Sequence, residues 1–180
     1  MRHEYGFSLI ELLLSLILVG MLASLAGVGL ISGVQGYILA KDNAHLAQKA
    51  ALVSTRLGRE LMELTEVTSA SNGTSIVYER DGSYYAVSQV GDEIKIRAGT
   101  SLPDAANGDA LVDDVAANGF TLIYLKGAQT WVPGTDDLRD LTAIQFVLNL
   151  DHPDGDIGNL TFTTTVNPRN TGVRAGPFGT

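Results

Sequence analysis

An uncharged stretch runs from Leu12 to Val34, 23 residues made mostly of Leu, Ile, Val, Ala and Gly. As a helix it reaches about 35 Å, enough to cross a hydrocarbon layer of roughly 30 Å. Carried back to Phe7, the run gains one more turn and is broken only by Glu11. A carboxylate in lipid costs about 2.5–3.5 kcal/mol at a helix centre, so Glu11 needs either a partner or a route to the interface. Snorkelling to the nearby membrane surface is the plain alternative.

The segment after the apolar run constrains the fold. Leu39, Leu46, Ala50, Val53, Leu57, Leu61 and Leu64 lie on one face of a 3.6-residue period. Proline is absent until Pro103. The pattern predicts one continuous helix from about Ser8 to about Glu66, apolar all round in its first half and one-faced in its second. A stop is expected in the turn-forming cluster from Thr68 to Gly73.

Beyond Gly73 the period changes to two. Strands are expected at Ile76–Tyr78, Tyr84–Val87 and Ile94–Ile96, joined by turns at Asp81-Gly82 and Gly91-Asp92. A loose region from Gly99 to Asn118 comes next, then strands at Phe120–Tyr124, Ile144–Leu148 and Leu160–Val166. The fold class is therefore α+β: a long N-terminal helix whose amphipathic half packs on an antiparallel sheet of about six strands. The closing GVRAGPFGT reads as a loose tail.

Composition excludes several classes. The formal net charge is -8 and the 12 Lys and Arg are scattered, which argues against a nucleic-acid partner. There is no cysteine, hence no disulfide, thiolate metal site or cysteine nucleophile. No G-x-S-x-G, H-E-x-x-H or P-loop is present, and no enzyme is expected. The adjacent carboxylates Asp113 and Asp114, and Asp136 and Asp137, diverge in extended chain and read as solvated loop charges. In DHPDGDIGN, Asp151, Asp154 and Asp156 are weak calcium candidates. The spacing departs from the twelve-residue calcium loop, and turn formation by Pro153, Asp154 and Gly155 explains the same residues. No cofactor is otherwise expected.

The segment GFSLIELL, Gly6 to Leu13, resembles the cleavage and methylation motif of type IV prepilins and type II secretion pseudopilins. Gly6, the aromatic Phe7, Glu11 four residues on, and the apolar run all stand where that family has them. More loosely, SGVQGY (32–37), RLGREL (56–61), LVDDVAANGFTLIY (111–124) and TTTVNPRN (163–170) resemble minor pseudopilins of the J or W type.

The resemblance implies a leader at 1–6, a transmembrane and assembly half-helix at 7–34, and a periplasmic head at 35–180 that includes the amphipathic half-helix 35–66. It implies cleavage between Gly6 and Phe7 by a separate prepilin peptidase and N-methylation of Phe7. Glu11 would meet the new α-amino group of its own or a neighbouring subunit, setting the register of assembly. Gly29 and Gly33 form a small-xxx-small pair suited to close helix packing, though glycine is also ordinary in membrane helices. Major pilins often carry a proline where this chain has Val28. Implied partners are the peptidase, other pilin or pseudopilin subunits, and inner-membrane lipid. The implied orientation has the N-terminus cytoplasmic. Charge alone gives none, because Arg2 lies on one side of the run and Lys41 and Lys49 on the other.

The implied function is a non-enzymatic minor pseudopilin or minor pilin at the tip of a filament. A surface-displayed pilin subunit used in adhesion or DNA uptake is a further option within that class. Two readings of other classes stay open: a periplasmic binding domain on an uncleaved single-span anchor, and a secreted protein cut after Ser24-Leu25-Ala26.

Overall fold

The structure is a computed structural model, and it describes residues 8–153, 155 and 158–171. The chain divides into two compact units between Asn43 and Ala44. One helix, α1 (Leu9–Met62), contributes to both. In the first unit it is the sole described element, and every residue from Ser8 to Lys41 is exposed. In the second unit its remaining turns pack on two antiparallel sheets.

The predicted stripe is the packing face. Leu46, Ala50, Val53, Leu57 and Leu61 are buried, as is Leu64 just past the helix end. Full burial of each leucine stabilises the unit by about 1.5–3 kcal/mol. Leu39, which fits the same period, is instead 37% exposed. It precedes the second unit, where the sheet partners lie.

Nine strands, against an expectation of about six, are found among the described residues, in two sheets. The first runs β1 (Glu66–Val67), β2 (Ser75–Arg80), β3 (Ser83–Val90), β4 (Glu93–Gly99) and β5 (Asp109–Val112) in chain order. The second is ordered β7 (Gln129–Thr130), β6 (Val115–Lys126), β8 (Ala143–Leu150) and β9 (Leu160–Val166). Asp81 and Gly82 both have positive φ at the predicted β2–β3 turn, and Gly91 does so at the β3–β4 turn.

Three expectations need correction. The helix stops at Met62, four residues early, because Thr65 N donates to Glu79 O and Glu66-Val67 pair with β2 as a strand. The loose region from Gly99 to Asn118 holds a 3-10 turn (Ala105–Asn107), all of β5 and the start of β6. A single sheet becomes two because β5 pairs with β4, whereas β6 pairs with β8.

Both sheets share one core. Ile76, Tyr78, Val87 and Ile94 from the first sheet cluster with Phe120, Ile144, Phe146 and Leu148 from the second and with the helix leucines. Leu122 N donates to Gly73 O and Val115 N to Asp92 O, joining β6 to the turns of the first sheet.

Candidate functional site: the N-terminal helix and its head

The start of α1 is built by Ser8. Its hydroxyl accepts from Glu11 N at 3.3 Å, and its carbonyl accepts from Glu11 N and Leu12 N. This is the serine half of a capping box, with Glu11 in the first turn. The helix dipole favours negative charge there, which offsets part of the cost of a carboxylate in apolar surroundings. The signal, Ser8-x-x-Glu11, stands in the sequence, and Ser8 was not among the expected site residues.

Above that turn, Leu9, Ile10, Leu16, Leu22, Leu25, Leu30 and Ile31 are each exposed by 60% or more. They lie on all sides of the helix. Apolar surface this extensive and contiguous needs lipid or other helices to cover it. By length and composition α1 is able to cross a membrane. At Gly29 and Gly33 an added Cβ would meet nothing within 4 Å, so both present bare backbone where another helix can approach.

Gly6 and Phe7 lie outside the described residues, as do Asp154, Asp156 and the segment 172–180. Asp151 is exposed, and its N–H donates to Asp114 O. Among the described residues no group of three or more His, Cys, Asp or Glu side chains is placed to hold a metal ion.

The head is fastened to its part of α1 by polar contacts that the sequence did not announce. Lys49 Nζ donates to Asp113 Oδ1 at 2.7 Å and to Asp114 Oδ2 at 2.6 Å. The expected divergence of the two carboxylates fails because Asp114 has φ 57°, a left-handed conformation that turns the chain between β5 and β6. The Lys49 hydrogen bond holds the Asp113 carboxyl below the usual carboxylate range, against a smaller opposing effect of desolvation. Desolvation pulls the Lys49 ammonium down, but the bonds to Asp113 and Asp114 outweigh it and leave its pKa raised.

The second pair also has partners within the fold, although Asp137 stays exposed. Asp136 accepts from Lys126 Nζ and Val132 N, while Asp137 caps the 3-10 turn Leu138–Asp140 through Arg139 N. Toward the end of α1, Glu60 pairs with Arg80 and accepts from the Tyr78 hydroxyl at 3.4 Å. Burial, and then the Glu60 charge, push the Tyr78 phenol well above its ordinary range. Tyr78 stacks on Tyr85 at 5.5 Å, and the Arg80 guanidinium lies over the Tyr85 ring. The Glu60 contacts join α1 to β2.

Comparison with known proteins bears on the first turns of the helix. Residues 1–27 match the prokaryotic N-terminal methylation motif. The match takes in Gly6, Phe7, Ser8, Glu11 and the first part of the apolar run, and it stops before the head. It supports a pilin- or pseudopilin-type protein, one that prepilin peptidase processes and that an apolar N-terminal helix anchors in a membrane. No curated protein and no solved structure matches the chain.

Proposed function

We propose that this chain is a non-enzymatic minor pseudopilin or minor pilin. Prepilin peptidase cuts it between Gly6 and Phe7 and methylates the new α-amino group of Phe7. The observation that carries this reading is the methylation motif at residues 1–27, leading into a helix whose apolar side chains are exposed on every side. The precursor sits in the inner membrane with its N-terminus cytoplasmic and its head periplasmic.

Placement dictates the chemistry. After cleavage, the Phe7 ammonium stands four residues before Glu11 in the sequence and keeps its charge through a single methylation. An unpaired carboxylate costs about 2.5–3.5 kcal/mol at the centre of a membrane helix, and a cation at the same depth relieves that cost. Where the cation comes from a neighbouring subunit, relief is available in one axial register alone, so Glu11 selects register as well as partner. Gly29 and Gly33 let the neighbouring helix approach closely. The looser likeness to the J and W types favours a place in a tip complex that primes assembly.

The test is fractionation of sheared filaments from the producing cell. Mature chain recovered with other methylated subunits, and missing from the fraction when Gly6→Ala is expressed, supports the reading. Chain confined to the membrane with or without Gly6 contradicts filament assembly and favours a binding domain on a single-span anchor.

A further inference from the structure

Strand β9 carries a feature that the N-terminal reading does not use. Among the described residues four strands lie at the sheet edges: β1 and β7 with two residues each, β5 with four, and β9 with seven. Short edges protect themselves, whereas a long one offers a row of backbone donors and acceptors to any passing strand. Helix α1 meets the core-facing side of β9, where Thr164 Oγ1 donates to Ser54 Oγ at 3.0 Å, but the strand itself lacks the usual guards in its sequence and pairing. Its sequence LTFTTTV holds no charge and no proline. Its pairing with β8 runs through seven consecutive residue pairs without a bulge, although both β4–β5 and β6–β8 contain one. Its side chains alternate: Thr161, Thr163 and Thr165 are exposed, while Leu160, Phe162 and Thr164 are half-buried and Val166 is buried.

We propose that β9 is a self-association edge, which pairs antiparallel with β9 of a second copy of this chain about a two-fold axis at Thr163. This does not rest on the reading of the N-terminus. The sequence is self-complementary in that register. Thr163 faces its own equivalent, Thr161 faces Thr165 of the second copy, and Phe162 faces Thr164. Leu160 then faces Val166, so threonine meets threonine on the outer side, and on the core side two Leu–Val pairs flank two Phe–Thr pairs.

The charges agree with the same polarity. Leu150 pairs with Leu160, which places the exposed Asp151 at one end of the edge, and the exposed Arg169 lies beyond Val166 at the other. Antiparallel pairing brings the acidic end of each copy to the basic end of the other, twice. A parallel arrangement would set like against like. A seven-residue edge contact is small, so the association is weak and reversible, in keeping with a surface that must also remain soluble.

The absence of cysteine makes the test direct. Full-length chain in detergent micelles is made with one cysteine, Thr163→Cys or Thr161→Cys, and exposed to a mild oxidant. Residues facing each other across an antiparallel pair have Cα atoms about 4.5–5.5 Å apart, within disulfide range. Two Thr161 positions would be separated by four residues, about 14 Å, and are out of range. The expected result is a disulfide dimer that forms at least about tenfold faster from Thr163→Cys than from Thr161→Cys. A mixture of Thr161→Cys and Thr165→Cys chains should cross-link as heterodimers.

Thr163→Lys sets two ammonium groups face to face and should yield monomer with unchanged circular dichroism. Equal cross-linking of Thr161→Cys and Thr163→Cys would overturn the proposal, because it would assign contact to the membrane helices. So would a dimer that survives Thr163→Lys, or a chain that is monomeric throughout. The last outcome would leave the edge to an extended segment of a different protein.

Discussion

The Lys49 ammonium on α1 lies 2.6 Å from the Asp114 carboxylate at the β5–β6 turn, a contact between residues 65 positions apart in sequence. With Asp113 it makes a three-membered clip between helix and sheet. Both carboxylates are substantially exposed, so solvent screening keeps the stabilisation to about 0.5–1 kcal/mol. Lys49→Met should lower the stability of the head by that amount, measured as a shift in urea midpoint.

The clip also sets a pH dependence. Asp113 is depressed in the folded state, so its contribution is present above the ordinary carboxylate pKa and fades as pH falls through the lower folded value. Lys49 is raised, so its contribution is present below the ordinary lysine pKa and fades as pH rises through the higher folded value. Between about pH 4 and pH 10 the clip is intact. Urea titrations from pH 7 to pH 3 should show wild type and Lys49→Met converging at the acid end. A constant difference down to pH 3 would show that the clip is not ionic.

Gln89 holds the irregular part of β6. Its Nε2 donates to Gly91 O at 2.9 Å and to Ala116 O at 2.7 Å, and its Oε1 accepts from Phe120 N at 3.1 Å. These bonds span the stretch between Val115 and Phe120 where the register with β8 shifts. Gln89→Leu keeps the volume and strands the Phe120 donor, at a cost of about 1–3 kcal/mol. The Phe120 amide should also lose hydrogen-exchange protection selectively.

Much of this architecture is legible in sequence. The strand Leu160–Val166 has the expected bounds, and Asp81-Gly82 marks the β2–β3 turn, because period-two alternation and left-handed turn residues are local signals. The helix stripe is legible for the same reason. β5 and the start of β6 are not. Asn107-Gly108 and Asp113-Asp114 read as loop formers, and in the fold they serve as turns between paired strands. Asp114 and Asn118 both adopt positive φ there. What keeps the neighbouring residues in strands is their partners β4 and β8, which no local pattern names. Lys49 escapes for a similar reason, since its partners lie beyond any helical or strand spacing. Ser8 was within reach through Ser8-x-x-Glu11.

Glycines divide by location. A Cβ at Gly108 would lie 2.3 Å from Ile96 O, and at Gly119 2.7 Å from both Ala116 O and Asn149 O. Backbone must move to admit either, so Gly108→Ala and Gly119→Ala should each cost about 1–3 kcal/mol or more. Gly33→Ala meets nothing and should leave the thermal unfolding of the head unchanged. Any effect of Gly33→Ala or of the bulkier Gly33→Leu should emerge in subunit assembly.

The proposed role of Glu11 predicts that processing and assembly come apart when its carboxylate is removed. Glu11→Ala removes the carboxylate but leaves Gly6, Phe7 and the Ser8 cap in place. The variant should be cut and methylated as wild type is, and should be lost from the filament fraction by tenfold or more, about the effect of 1.4 kcal/mol per register contact. Normal incorporation of Glu11→Ala would show that Glu11 plays no part in assembly.

The most direct measurement is the intact mass of full-length chain co-expressed with a prepilin peptidase and extracted from membranes, beside Gly6→Ala. Loss of residues 1–6 and gain of one methyl group are expected, both only where Gly6 is present. A chain that keeps Met1, or one that begins at Gly27, would contradict processing at Gly6 and with it the pilin-type assignment.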